Sequence, residues 1–124
     1  MLFRSNALTS SVSGGDGADT IWVSASSTAS SMAGGSGADV FVYQGISSLD
    51  SLFGDVGDDS FNLQSDVTRS SIEGGSGNDS FVFAGTLVTA SISGGSGNDF
   101  ISLAGTALTS TLTGGADKIG RAHV

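Results

Sequence analysis

The chain has no cysteine and no proline, a single histidine, and four basic residues against twelve acidic ones in 124. Lacking cysteine, it has no disulfide framework and no thiolate site for a soft metal. The shortage of lysine and arginine argues against nucleic acid as a partner, because phosphate binding needs positive charge. No apolar run approaches the ~20 residues of a membrane helix, and the opening MLFRSNALTS has no long apolar stretch of the kind a secretory signal carries. With aromatics at 7 % there are few large side chains for a globular core. No stretch shows the i, i+3, i+4 apolar spacing of an amphipathic helix.

What is present is a repeat. A glycine-rich box ending in aspartate recurs every twenty residues: GGDGAD at 14–19, GGSGAD at 34–39, GDVGDD at 54–59, and GGSGND at 74–79 and 94–99. A constant period means a constant path per repeat, and a period of this length without slippage reads as a solenoid. After each box, apolar residues alternate: Ile21 and Val23, Phe41 and Tyr43, Phe61 and Leu63, Phe81 and Phe83, Ile101 and Leu103. That is the period of a short strand with one buried face. A second apolar column stands two residues before each box, at Val12, Met32, Leu52, Ile72, Ile92 and Leu112, and marks a second short strand. Gly45, Gly85 and Gly105 lie between the strands and suit a tight corner through positive φ. The predicted fold is all-β, a parallel β-roll or β-solenoid of one coil per repeat with two short strands per coil.

The predicted array covers residues 1–117: a partial coil at 1–13, five full repeats over 14–113, and the start of a sixth box at 114–117. The segment 118–124 ends in IGRAHV, which reads as the translation of a DNA sequencing adaptor, and is set aside as a non-native tail. Setting it aside removes His123, Lys118 and Arg121, and leaves Arg4 and Arg69 as the basic residues of the body.

Position matters more than the count of acids. Eight of the twelve lie in the boxes: Asp16, Asp19, Asp39, Asp55, Asp58, Asp59, Asp79 and Asp99. Stacked in register, the terminal aspartates form a file of charge in which neighbours ~4.8 Å apart repel by ~0.9 kcal/mol in water, and several-fold more at lower dielectric. Asparagine would serve a purely structural turn there, yet all five boxes end in aspartate. Two arginines cannot compensate the ladder, so the compensation falls to cations from solvent. A hard divalent ion with six to eight oxygen ligands suits glycine-rich loops. Calcium fits better than magnesium, which resists full dehydration, and zinc lacks its usual ligands.

The motifs GGSGNDSFV and GGDGADTIW resemble the G-G-x-G-x-D-x-U-x nonapeptide of the RTX, or haemolysin-type, calcium-binding repeat family. The resemblance covers the boxes and following strands, about half of each repeat, and the spacing is similar to that of long repeat proteins of marine bacteria and cyanobacteria. It implies a right-handed parallel β-roll with Ca2+ between loops of adjacent coils, and secretion to the cell surface or beyond. Carried over box by box, the metal ligands are the carboxylates of Asp19, Asp39, Asp59, Asp79 and Asp99. Backbone carbonyls or turn geometry come from Gly14, Gly15, Gly17, Gly34, Gly35, Gly37, Gly54, Gly57, Gly74, Gly75, Gly77, Gly94, Gly95 and Gly97. In the family two nonapeptides build an eighteen-residue coil with two calcium edges. Here one box alternates with a serine- and threonine-rich return such as AGTLVTASISG, so one calcium edge is expected. Box three departs again, with Asp55 in place of a glycine, and aspartate tolerates the left-handed region better than most residues.

Other readings compete. Phe41, Phe61, Phe81 and Tyr43 read as core rather than as a ligand-stacking stripe, with Trp22 out of phase on the outer face. Ser11, Ser31, Ser51, Ser71, Ser91 and Thr111 form a hydroxyl column of the kind ice-binding solenoids use, but Leu49, Phe53, Arg69 and Glu73 interrupt the surface. A hydrogen-bonded serine ladder supporting the coil is the expectation there. The adjacent Asp58 and Asp59 point to opposite sides of a strand edge and do not form a convergent catalytic pair. Neither a catalytic residue nor an organic cofactor is expected. The expected partners are calcium ions and adjacent repeats of a parent protein, with end-to-end association open through unpaired strand edges.

Overall fold

The computed structural model describes residues 2–5 and 11–114, the side chains of residues 3 and 5 aside. The expected sixth box beyond residue 114 and the tail at 118–124 lie outside the described residues. From Ser11 onward every strand pairs in parallel with its equivalent twenty residues away, as at Phe41 with Phe61 and Ile72 with Leu52, so these coils stack in strict register, while the opening strand Leu2–Ser5 pairs with Thr20–Val23 eighteen residues on. The described residues contain strands and no helix; no helix long and apolar enough to cross a membrane occurs among them.

Each coil contributes three strands rather than two. A six-residue strand leads into the box, as in Ser31–Ser36 or Ser71–Ser76. A four-residue strand leaves it, as in Val40–Tyr43 or Ser80–Phe83. A two-residue strand, such as Ser47–Ser48 or Val67–Thr68, makes a third side. The result is two six-stranded sheets and one five-stranded sheet around a common interior. Two residues cannot display a period of two, which is why the alternating pattern revealed only the longer strands.

The corners on either side of the two-residue strand also correct the role expected of the glycines. Positive φ falls on Ala29, Leu49, Arg69, Thr89 and Thr109, and not on Gly45, Gly85 or Gly105. Gly45 answers a different need, since a Cβ there would collide with the backbone of Ala25 in the coil below.

The interior is filled by the two expected apolar columns. Met32, Leu52, Ile72 and Ile92 are buried from the entry strands, and Phe41, Tyr43, Phe61, Phe81 and Phe83 from the exit strands; Val12 and Leu112, in the end coils, are partly buried. Phe41, Phe61 and Phe81 stack face to face at 4.6 and 4.8 Å between ring centroids, tilted by 7° and 4°. That spacing is the interstrand distance itself, so identical residues in successive coils pack without adjustment. Trp22 lies on the outer side of its strand, with the Arg4 guanidinium 4.9 Å from the ring centroid.

Candidate metal centre

The box begins inside the entry strand and turns sharply out of it. In box four, Gly75 has φ 111° and Gly77 φ 136°, a left-handed region that costs residues with a Cβ. The loops are stitched to one another along the axis: the N–H groups of Gly17, Gly37, Gly57 and Gly77 donate to the carbonyls of Ser36, Val56, Ser76 and Ser96 one coil on, at 2.7 to 2.9 Å. The odd residue of box three follows the same path. Asp55 takes φ 75°, pairs with Gly35 and Gly75 on either side, and leaves the Gly57 bond in place.

The five terminal aspartates line one edge, and all are buried, from 1 % exposed at Asp59 and Asp79 to 4 % at Asp99. Each carboxylate from box two onward reaches back one coil. Oδ1 of Asp39, Asp59, Asp79 and Asp99 accepts the backbone N–H of Asp19, Asp39, Asp59 and Asp79, at 2.7 to 2.9 Å. Meanwhile the carbonyls of Asp19, Asp39, Asp59 and Asp79 accept from the first residue of the next exit strand. The main-chain N–H and carbonyl groups of Asp19, Asp39, Asp59 and Asp79 are therefore satisfied by neighbouring coils.

The second carboxylate oxygen is not. Oδ2 of Asp39, Asp59, Asp79 and Asp99 is buried without a hydrogen-bond partner among the described residues. A buried, unpaired carboxylate oxygen costs several kcal/mol in the charged state, which makes its surroundings informative. At Asp59 those surroundings are the Cα of Gly54 and the carbonyl oxygen of Gly74; a Cβ on Gly54 would collide with both. Gly74, beside Asp79 and the Gly94 carbonyl, repeats the arrangement. The first glycine of the box is thus required by space, and the second and fourth by φ.

Burial raises the carboxyls of Asp39, Asp59 and Asp79 above their ordinary range. Asp59 is pushed up to about 7, by burial first and then by the charges of Asp79, Asp39 and Asp55, against the lowering effect of the Asp39 N–H. Asp79 is raised to about 6 by burial, with Asp99 and Asp58 adding to it, and Asp39 is raised chiefly by burial. The ladder therefore asks for neutralisation by protons or by cations.

The donor set suits a hard cation: carboxylate Oδ2 atoms beside glycine carbonyl oxygens, with no imidazole or thiol among the described residues. No three acidic or imidazole side chains converge among the described residues, so backbone oxygens would make up most of a coordination shell here. Asp59 with Gly54 and Gly74, and Asp79 with Gly74 and Gly94, are the residues that would hold it. The ion would supply the positive charge that the Asp ladder lacks. Asp58 stands apart from the buried file: it is exposed, and its Oδ1 accepts from the backbone and side-chain amides of Asn78, whose own Oδ1 serves Asn98 in the same way.

The hydroxyl ladder expected at Ser31, Ser51, Ser71 and Ser91 stands in register on the outer side of the entry sheet. The buried hydroxyl network lies elsewhere, at the third corner. There Asp50, 1 % exposed, accepts at Oδ1 from the Ser30 N–H (2.9 Å) and the Ser27 hydroxyl (3.2 Å), and at Oδ2 from the Ser47 hydroxyl (2.8 Å). Sequence reading missed this network; the signal available was the column Ser30, Asp50, Ser70 one residue before the serines it singled out.

A parallel solenoid with an in-register carboxylate ladder along one glycine-rich edge defines a class of repeat protein. The family model for the RTX calcium-binding nonapeptide repeat matches residues 10–27, 69–84 and 91–105, in four copies. The matched segments are similar to RTX calcium-binding repeats, set here in coils of twenty residues. No curated protein and no solved structure matches the chain.

Proposed function

We propose that this chain is a structural segment of a larger secreted or cell-surface protein, in which Ca2+ held between stacked boxes couples cation binding to folding. The observation that carries the reading is the buried, unpartnered Oδ2 at Asp39, Asp59, Asp79 and Asp99, repeated at each coil against the glycine edge. Without a cation, the ionised ladder and the entropy of twenty glycines favour the unfolded chain. With one, each gap joins two coils and binding energy becomes folding energy. Similarity to the repeat family supports export to calcium-rich surroundings. The segment itself is non-catalytic in this reading, serving as an array or as the calcium-dependent stem of an enzyme or toxin domain elsewhere in the parent.

Circular dichroism during a calcium titration tests the proposal. Strand content should be low in chelator and rise cooperatively as calcium approaches millimolar concentrations. Equal strand content in chelator and in calcium would defeat it and favour a metal-independent solenoid, for which the continuous Phe41, Phe61, Phe81 stack is the supporting observation.

A further inference from the structure

We propose that the cation gaps are unequal, and that those flanking the third box load first, so that occupancy spreads from the middle of the array toward its ends. The inference rests on the calcium reading above and adds to it an order of filling.

Boxes two, four and five carry one acid each, box one carries Asp16 and Asp19, and box three carries Asp55, Asp58 and Asp59. The charge surplus accompanies a buried ligand that points into the gap. Asp59 is 1 % exposed, and its unpartnered Oδ2 lies against Gly54 and the Gly74 carbonyl. The two extra carboxylates bear on both sides of this box. Asp55 stands in register between Gly35 of box two and Gly75 of box four, so its charge lies beside the gaps on both sides of box three. Asp58 is fixed toward box four by its bonds to the Asn78 amides at 2.8 and 3.2 Å, which sets its charge beside the residue that precedes Asp79.

The surplus comes without damage to the loop. The Gly57 N–H donates to the Ser76 carbonyl at 2.8 Å, matching the 2.7 Å bond from Gly37 to Val56 one coil earlier. Calcium affinity at oxygen sites rises with ligand charge and site rigidity, and nearby non-ligand carboxylates act by the same Coulombic attraction. The gaps at box three thus combine the shared buried geometry with the strongest negative potential.

The substitutions that test this have precedents on the same backbone. Glycine stands opposite Asp55 at both Gly35 and Gly75, and asparagine follows Asp58 at Asn78 and Asn98. Isothermal titration of CaCl2 into the intact chain in low salt should resolve a first class of ions bound about tenfold more tightly than the rest. In Asp55→Gly/Asp58→Asn the number of ions should be unchanged, while the first-class affinity falls about tenfold and merges with the rest. The gap between the two proteins should narrow as salt is raised, because screening weakens exposed charges. Asp16→Ser, which removes an acid from box one, should leave the first class within about twofold. An unchanged first-class affinity in the double variant, or an equal loss in Asp16→Ser, overturns the order of filling and leaves calcium binding standing. Absence of binding heat together with calcium-independent strand content in all three proteins overturns the calcium reading itself.

Discussion

Two columns of side chains run the length of the solenoid and make the same hydrogen bond, yet only one of them insists on charge. At the box edge, Oδ1 of Asp39, Asp59, Asp79 and Asp99 caps the backbone N–H of the equivalent residue one coil earlier. At the third corner the same cap is made onto Ser30 by Asp50, onto Asp50 by the Ser70 hydroxyl, and onto Ala90 by the Ser110 hydroxyl. Serine therefore suffices for the cap, and the corner column tolerates Ser, Asp and Ala in turn. Asp50, moreover, has both oxygens satisfied, by Ser27, Ser30 and Ser47, whereas Asp39, Asp59, Asp79 and Asp99 each keep one oxygen without a partner among the described residues. The capping bond does not explain these four aspartates at the box edge. The second oxygen does.

The largest expected effect separates the two columns by pH. In the unfolded chain the box carboxyls titrate near 3.8, while in the fold Asp79 rises to about 6 and Asp59 to about 7. The folded state binds these protons more tightly, so their stabilisation is complete below about pH 3.8 and is lost as pH rises through 6 to 7. In chelator, strand content and melting temperature should be higher at pH 5 than at pH 8. In excess calcium the order should reverse, since protons and cations compete for one set of carboxylates. Thermal melts followed by circular dichroism at both pH values, with and without calcium, read this directly; parallel pH profiles in the two media would break the distinction drawn between the columns.

A smaller effect comes from filling the space at Oδ2. In Gly54→Ala the new Cβ meets Asp59 Oδ2 and the Gly74 carbonyl, and the strain of overpacking should cost about 3 kcal/mol along with one bound ion. Denaturant unfolding and calcium stoichiometry, measured in calcium, would detect both. An unaltered ion count would mean that the cradle is a packing feature alone.

Exchanging residue types between the columns comes next. Asp59→Ser installs the corner solution at the box edge: the hydroxyl can still serve the Asp39 N–H, but the second oxygen is gone. Losing one ion held at about a hundredfold above its dissociation constant costs about 2.7 kcal/mol. The reciprocal Asp50→Ser should change stability by less than about 1 kcal/mol, because removing a satisfied buried charge trades strong hydrogen bonds against relief of desolvation. Equal costs at the two sites, measured as unfolding free energies in calcium, would dissolve the contrast.

The same contrast accounts for what the sequence made legible. The twenty-residue period, the columns at Phe41, Phe61 and Phe81 and at Met32, Leu52 and Ile72, and the in-register aspartates follow from spacing, because parallel stacking maps equal sequence intervals onto equal places. The third strand escaped because it is two residues long and its inward position changes chemistry along the axis, from Ser27 and Ser47 to Val67 and Leu87. Buried polar and buried apolar residues alternate roles there, and no hydropathy pattern survives that. The use of Oδ1 as a cap and Oδ2 as the exposed need of the site is likewise invisible in one dimension, since both belong to a single aspartate.

Backbone conformation divides the two edges in a last respect. Along the box edge the left-handed region is occupied by glycine at every box, with Asp55 the exception, whereas along the third corner it is held by Ala29, Leu49, Arg69, Thr89 and Thr109. A non-glycine residue in that region carries about 1 to 2 kcal/mol of steric cost, which each corner must offset through the bonds around it. The Leu49 N–H, for example, donates to the Thr68 carbonyl at 3.0 Å. Its side chain is 53 % exposed, so truncating it forfeits little packing. Leu49→Gly should therefore raise stability, by about 0.5 kcal/mol once the greater backbone entropy of glycine in the unfolded chain is deducted. The gain should be the same in calcium and in chelated samples at pH 5, because the corner has no part in cation binding. A gain confined to calcium would mean that strain at the corner is coupled to the ladder across the core.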